Sequence, residues 1–209
     1  MKADLEIKVC GMKDPRQIAD LATLDIQYIG LIFYTHSPRY VQDILDYKLF
    51  GDKKITGVFV NNPMEQIWFT QSRYQLQAVQ LHGNESPDFC ASIQSRGIEV
   101  IKAFSIDKAF SFDKVYDYDG YADLFLFDAR GEAPGGNGVR FDWDKLNEYE
   151  GATPFLLSGG IGYDHLDEIR YFNHPACIGI DVNSQFETSP GIKDLITLKK
   201  FVHELRSGY

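Results

Sequence analysis

The chain has 209 residues, 44% hydrophobic and 24% charged, the balance of an ordinary soluble globule rather than a disordered or fibrous chain. Thirty acidic residues against twenty-one basic ones give a formal charge of −9. That argues against nucleic acid as a partner, because phosphate backbones are bound by clustered Lys and Arg, yet a few local donors still suffice for an anionic small molecule.

Cys10, Cys90 and Cys177 are odd in number and widely spaced, with no CxxC pair, so a reducing cytoplasm is expected. No Cys/His cluster has zinc spacing, so no metal is expected. Met1 to Glu6 carries acids where a signal peptide needs an apolar run. Nothing approaches the ~20 apolar residues of a membrane span, so no membrane partner is expected.

In chain order, an apolar run over 6–10 predicts a first strand, and Asp14-Pro15 opens a helix over 16–24 with an N-cap and a proline at the first helical position. A strand over 28–34 and a helix within 41–50 follow. The strand over 55–61 leads to Asn62-Pro63, the same device, and a helix over 64–74. The strand over 78–82 leads to Ser86-Pro87 and a helix over 88–95. Strands over 99–105, 124–128, 154–158 and 177–182 alternate with helical stretches within 107–116 and over 142–149, 163–172 and 194–205. The strands are rich in Val, Ile, Leu and Phe without strict alternation, as expected where both faces of a parallel strand are covered.

Eight strands in 209 residues leave about 26 per unit, close to the minimum for a strand and its crossover helix. Eight right-handed βα units close into a barrel, whereas an open doubly wound sheet suits five or six strands. The expected fold is therefore α/β, a (β/α)8 TIM barrel, as a single domain over residues 1–209 with no linker or low-complexity tract.

Barrel chemistry collects at the C-terminal strand ends. Here those ends carry Cys10, Arg39, Asn61, His82, Ser105, Asp128, Ser158 to Gly160, and Asp181 to Ser184. Cys10 reads either as a small buried hydrophobe or as a general base, with Lys8 two residues back favouring the thiolate. Asp128, ending the apolar run Leu124 to Phe127, is either an acid with a raised pKa or a helix cap or ion-pair partner of Arg130. Asp181 admits the same two readings. Arg39 either offers its planar fork to a carboxylate or is a solvated surface arginine. Gly159 and Gly160 with Asn183 and Ser184 suit a phosphate site after strands seven and eight, though a Gly-Gly alone is a turn. His82 reads as a packed or hydrogen-bonded histidine. Gly135 to Gly138 lacks GxGxxG spacing and reads as a loop able to close over a ligand.

These stretches resemble one family, phosphoribosylanthranilate isomerase of tryptophan biosynthesis. The resemblance is carried by Lys8-Val9-Cys10-Gly11, Gly30 to Phe33 with Ser37-Pro38-Arg39-Tyr40, Gly57 to Asn61, and Val79-Gln80-Leu81-His82-Gly83. It continues in Phe127-Asp128, Gly135 to Gly138 with Phe141-Asp142-Trp143, Leu157 to Gly160, Asp181-Val182 and Pro190-Gly191-Ile192-Lys193-Asp194. It implies a barrel without cofactor or metal and a small-molecule substrate, N-(5-phosphoribosyl)anthranilate. This substrate would undergo an Amadori rearrangement to 1-(2-carboxyphenylamino)-1-deoxyribulose 5-phosphate, in a cytoplasmic monomer or homodimer. By the same resemblance Asp128 is the general acid and Cys10 the general base. Arg39 would hold the anthranilate carboxylate, Gly159, Gly160, Asn183 and Ser184 the phosphate, while His82 and Asp181 line the site.

The sequence departs from the family pattern at Gln185, where Gly is usual, and at Ala129 and Asn137, where Thr or Ser is frequent. Gln185 would reshape the phosphate loop if that position needs a positive φ. Two other readings compete. Another phosphosugar barrel enzyme, such as a pentose-phosphate epimerase, would want several metal ligands where only His82 stands, and an indole-glycerol-phosphate synthase would want rim lysines where only Lys102 stands. A non-catalytic phosphosugar-binding barrel is the third, and an intact Cys10 and Asp128 speak against it.

Overall fold

The computed structural model describes residues 5–43, 45–129 and 142–207. Eight parallel strands close into a barrel in chain order, β1 (Glu6–Val9), β2 (Tyr28–Ile32), β3 (Lys54–Phe59), β4 (Ala78–Leu81), β5 (Glu99–Ile106), β6 (Leu124–Ala129), β7 (Phe155–Leu157) and β8 (Cys177–Val182). β8 returns to β1 through the pairs Ile7↔Ile180 and Val9↔Val182, which removes any free sheet edge. A small hairpin, β9 (Glu187–Ser189) and β10 (Ile192–Lys193), follows the barrel. All eight expected strands are present, and in β1, β2, β3 and β4 the ladder stops before the polar rim residues predicted to end it.

Alternation sorts each strand into two faces. Phe125, Phe127, Val79, Leu81, Ile7 and Val9 join the large outer core against the helices, while Ala78, Leu124 and Leu126 belong to the inner cluster. The same parity sends Lys8 and Cys10, Gln80 and His82, and Asp128 toward the barrel axis. β8 keeps Asp181 in phase only because the register against β7 slips by one residue between Phe155 and Leu156, a bulge that turns the later residues over.

The helices are α1 (Pro15–Leu21), α2 (Met64–Tyr74), α3 (Pro87–Gln94), α4 (Asp113–Tyr116), α5 (Leu166–Tyr171) and α6 (Leu195–Arg206). Asp14 caps α1 through Arg16 N and Gln17 N, and Ser86 caps α3 through Phe89 N, as expected. Asn62 does not cap α2: Pro63 takes that position without a side-chain bond, and Asn62 turns back to accept from Val60 N at 3.0 Å. Two expected helices are 3₁₀ turns instead, Tyr47–Phe50 and Trp143–Glu148. In the second, Trp143, Leu146 and Tyr149 are buried three residues apart, the 3₁₀ period rather than 3.6. The stretch after β5 yields only the four-residue α4, and the one after β7 opens with a 3₁₀ turn, Tyr163–His165, before α5. No helix of the described residues is long and apolar enough to cross a membrane.

Candidate active site

Cys10 leaves β1 with its N–H bonded to Val182 O at 2.9 Å and its side chain buried. A Cβ on Gly30 of β2 would stand 2.8 Å from the Cys10 sulfur, so that glycine keeps the space the thiol occupies. Lys8, wholly buried, pairs with Asp181 Oδ1 at 2.7 Å. Burial alone would discharge Lys8; Asp181, then Cys10, outweigh it and hold the ammonium. The expectation that Lys8 makes Cys10 a thiolate is corrected here. Burial raises the thiol pKa by more than the Lys8 and Lys193 charges lower it, so the resting group is a thiol.

Asp128 ends the inner row of β6. Burial, reinforced by the Asp181 charge, pushes its carboxyl up to about 7, against the opposing pull of Ala129 N–H, Lys8 and Ser158. Its Oδ1 accepts from the neighbouring Ala129 N at 2.9 Å rather than from a helix end. Arg130 lies outside the described residues. Ser158 donates to Asp181 Oδ2 at 3.2 Å, tying β7 to β8 beneath the acid. His82 Nε2 stands 3.5 Å from Asp128 Oδ2. Burial, then Lys102 and Lys8, lower the imidazole to about 4, so this contact is not an ion pair at neutral pH. Its Nδ1 meets Gln80 Nε2 at 3.1 Å, which leaves the other ring nitrogen to carry the proton, and that Nε2 has no hydrogen-bond partner among the described residues.

Arg39 is buried and not a solvated surface residue. Its Nε and Nη2 grip Glu187, with Nη2 to Oε2 at 2.7 Å. Lys193 Nζ reaches the same carboxylate at 2.8 Å and Asn183 Oδ1 at 2.8 Å. Sequence reasoning assigned nothing to Glu187, Lys193 or Gln80. Lys193 and Gln80 stand inside stretches singled out above, which was the available signal. Glu187 is one acid among thirty, and only its cross-strand position opposite Lys193 distinguishes it.

Gly159 and Gly160 both take left-handed φ, +90° and +66°. A Cβ on Gly159 would lie 2.7 Å from Ala129 N, so the backbone can approach the end of β6 this closely only without a side chain. Asn183 and Ser184 open a 3₁₀ turn, Ser184–Phe186. Gln185 within it has no positive φ, so the feared strain is absent, and its side chain packs on Gly162. The Gly135 to Gly138 loop and Asn137 lie outside the described residues.

One cavity at the C-terminal mouth is lined by all nine predicted site residues: Cys10, Arg39, His82, Asp128, Gly159, Gly160, Asp181, Asn183 and Ser184. Lys102 is not among them. Its β5 parity is that of Val100 and Ile106 in the outer core, and its ammonium is held by Leu81 O, Gly83 O and Glu85 Oε2 at 2.7–3.2 Å. A buried acid with a near-neutral pKa, a thiol on the same cavity and a glycine-lined anion margin together suit acid–base chemistry on an anionic small molecule.

The comparisons agree. The family model N-(5'phosphoribosyl)anthranilate (PRA) isomerase matches residues 7–204. An N-(5'-phosphoribosyl)anthranilate isomerase of Parabacteroides distasonis is 48% identical over 205 residues, spanning 95% of this chain and 92% of that one. The phosphoribosyl anthranilate isomerase of Thermotoga maritima superposes with a TM-score of 0.81 at 27% identity, covering 98% of this chain and 100% of that one. A phosphoribosyl anthranilate isomerase solved with reduced 1-(o-carboxyphenylamino)-1-deoxyribulose 5-phosphate gives a TM-score of 0.78 at 26% identity over 98% and 100%. The chain belongs to the N-(5'-phosphoribosyl)anthranilate isomerase family.

Proposed function

We propose that this cavity carries out the family's Amadori rearrangement in tryptophan biosynthesis with Asp128 as general acid and Cys10 as general base. Asp128 gives its proton to the ribose ring oxygen as the C1′–O bond breaks, and the aryl nitrogen lone pair forms the C1′ iminium. The Cys10 sulfur, as thiolate, takes the C2′ proton. The C2′–H electron pair becomes the C1′=C2′ bond and neutralises the iminium. The resulting enolamine gains a proton at C1′ and loses the one on its C2′ hydroxyl, leaving the ketone. The net proton count is unchanged once Cys10 returns its proton and Asp128 recovers one.

The observation that carries this reading is the carboxyl held near 7 on the same cavity as the thiol. An acid that keeps its proton close to operating pH is suited to donate it. The productive enzyme carries the proton on Asp128 and not on Cys10: burial and the Asp181 charge favour the first, the Lys8 and Lys193 charges the second. Arg39 meets the anthranilate carboxylate. Gly159, Gly160, Asn183 and Ser184 receive the phosphate, while His82 Nε2–H and Asp181 border the sugar between them.

All these groups come from one chain, so a monomer suffices, within a single barrel domain. Three buried, unbridged cysteines fit a cytoplasmic setting. The test is turnover of N-(5-phosphoribosyl)anthranilate by the purified protein, followed by loss of aryl-amine fluorescence, with complementation of a host unable to make tryptophan at this step. Conversion with complementation is expected; tight binding without turnover would make it a non-catalytic phosphosugar binder.

A further inference from the structure

Glu187 stands where β9 faces β10, with Lys193 directly across the hairpin. Its side chain is only 4% exposed, and five donor contacts converge on it. Oε1 accepts from Arg39 Nε at 3.0 Å, Lys193 Nζ at 2.8 Å and Gly191 N at 3.1 Å, while Oε2 accepts from Arg39 Nε at 3.0 Å and Nη2 at 2.7 Å. Burial would raise this carboxyl; Arg39 and Lys193 outweigh it and keep it charged.

A guanidinium presents five N–H donors in a rigid plane. Glu187 takes the Nε–Nη2 edge. Both Nη1 donors and the second Nη2 donor remain, and among the described residues Arg39 makes no other side-chain hydrogen bond. Among the described residues, one carboxylate against two cations also leaves one positive charge unanswered at the cavity wall. Lys193 carries the link onward to Asn183, at 3.2 Å to its carbonyl and 2.8 Å to its side-chain oxygen. The packing is close: a Cβ on Gly11 would lie 2.6 Å from Asn183 Oδ1 and 2.7 Å from Arg39 Cδ.

We propose that Glu187 is the positioning residue for carboxylate recognition, clamping one edge of Arg39 so that the Nη1–Nη2 end is the edge offered to the substrate's aryl carboxylate. Through Lys193 it ties that arginine to Asn183, fixing the distance between the carboxylate contact and the phosphate margin. This rests on the reading of Arg39 as the carboxylate binder. A free guanidinium samples many rotamers and either edge; a clamped one loses less on binding.

The test is calorimetric binding of two ligands, the reduced carboxyphenylamino-deoxyribulose phosphate and its counterpart lacking the aryl carboxylate. Wild type should prefer the carboxylated ligand, and Glu187→Gln should lower that preference by about tenfold while affinity for the descarboxy ligand stays within about twofold. Arg39→Ala should collapse the preference in the same way. Equal weakening of both ligands by Glu187→Gln would mean a merely structural role and overturn the inference. A preference kept in Glu187→Gln but lost in Arg39→Ala would overturn it and leave the Arg39 reading standing. A preference kept in Arg39→Ala would overturn both. Should Glu187→Gln not fold, Glu187→Asp, which keeps the charge but is one methylene shorter, is read against the same outcomes.

Discussion

The two mouths of the barrel treat buried polar groups in opposite ways. At the N-terminal mouth, Tyr28 donates to Glu99 Oε1 at 2.8 Å, Lys54 pairs with Glu99 and lies 5.0 Å over the Tyr28 ring, and Asp123 accepts from Val100 N and Gln94. Burial, then Glu99, push the Tyr28 hydroxyl further up, so it stays neutral throughout the working pH range. At the C-terminal mouth, Asp128 faces another carboxylate, His82 Nε2 lacks a partner among the described residues, and Cys10 sits as a thiol between two already paired ammonium groups. The first mouth is largely settled, with Glu6 Oε2 alone left without a partner in that cluster among the described residues, and the other is held in tension. The difference separates stability from chemistry within a single scaffold.

The sharpest way to break the contrast is to remove the chemistry from the tense mouth. Cys10→Ser and Asp128→Asn should each lower kcat by about 10³-fold with a cooperative thermal transition retained, as measured by steady-state turnover and calorimetry. A variant near wild-type rate would remove its residue from the acid–base pair. Next comes Asp181→Asn, which strips the partner from wholly buried Lys8. The loss of a buried pair member is expected to cost about 3–5 kcal/mol in denaturant unfolding. It should also bring Asp128 down from about 7, since the Asp181 charge is part of what holds it there.

A third consequence runs the other way. A carboxyl raised in the folded state binds its proton more tightly there than in the unfolded chain. Its contribution is therefore intact below the unfolded value of roughly 4 and lost as pH rises through the folded one. Between those limits wild type should lose stability on the order of 4 kcal/mol that Asp128→Asn does not. The asparagine variant should gain on wild type at pH 8 and show no gain at pH 4, in urea titrations at the two pH values. The smallest effect belongs to the settled mouth. Tyr28→Phe removes the hydroxyl's bond to Glu99 and the longer one from Lys54, and should cost about 1 kcal/mol with kcat unchanged.

The strands and the rim were legible because both depend on short-range pattern. Leu124 to Phe127 is apolar at every position, and the first polar residue after the run, Asp128, falls one residue from the end of β6. What stayed hidden depends on distance and on competing energies. Nothing near Arg39 in the chain points to Glu187, its partner 148 positions away. Lys8 beside Cys10 suggested a thiolate because proximity is visible in sequence, whereas burial, which wins, is not. Lys102 looked like a rim cation until the parity of β5 turned it outward. The stretch over 142–149 reads as helical in sequence, and the spacing of three in Trp143, Leu146 and Tyr149 fits both helix types over one turn.

The acid–base chemistry stands on the protonation of one carboxyl. Carbon-13 NMR of the Asp128 carboxyl, followed against pH in the ligand-free protein and assigned by its loss in Asp128→Asn, should show a midpoint near 7. A midpoint in the ordinary aspartate range, about 4, would mean the group arrives at the sugar already ionised, and the assigned acid would have no proton to give.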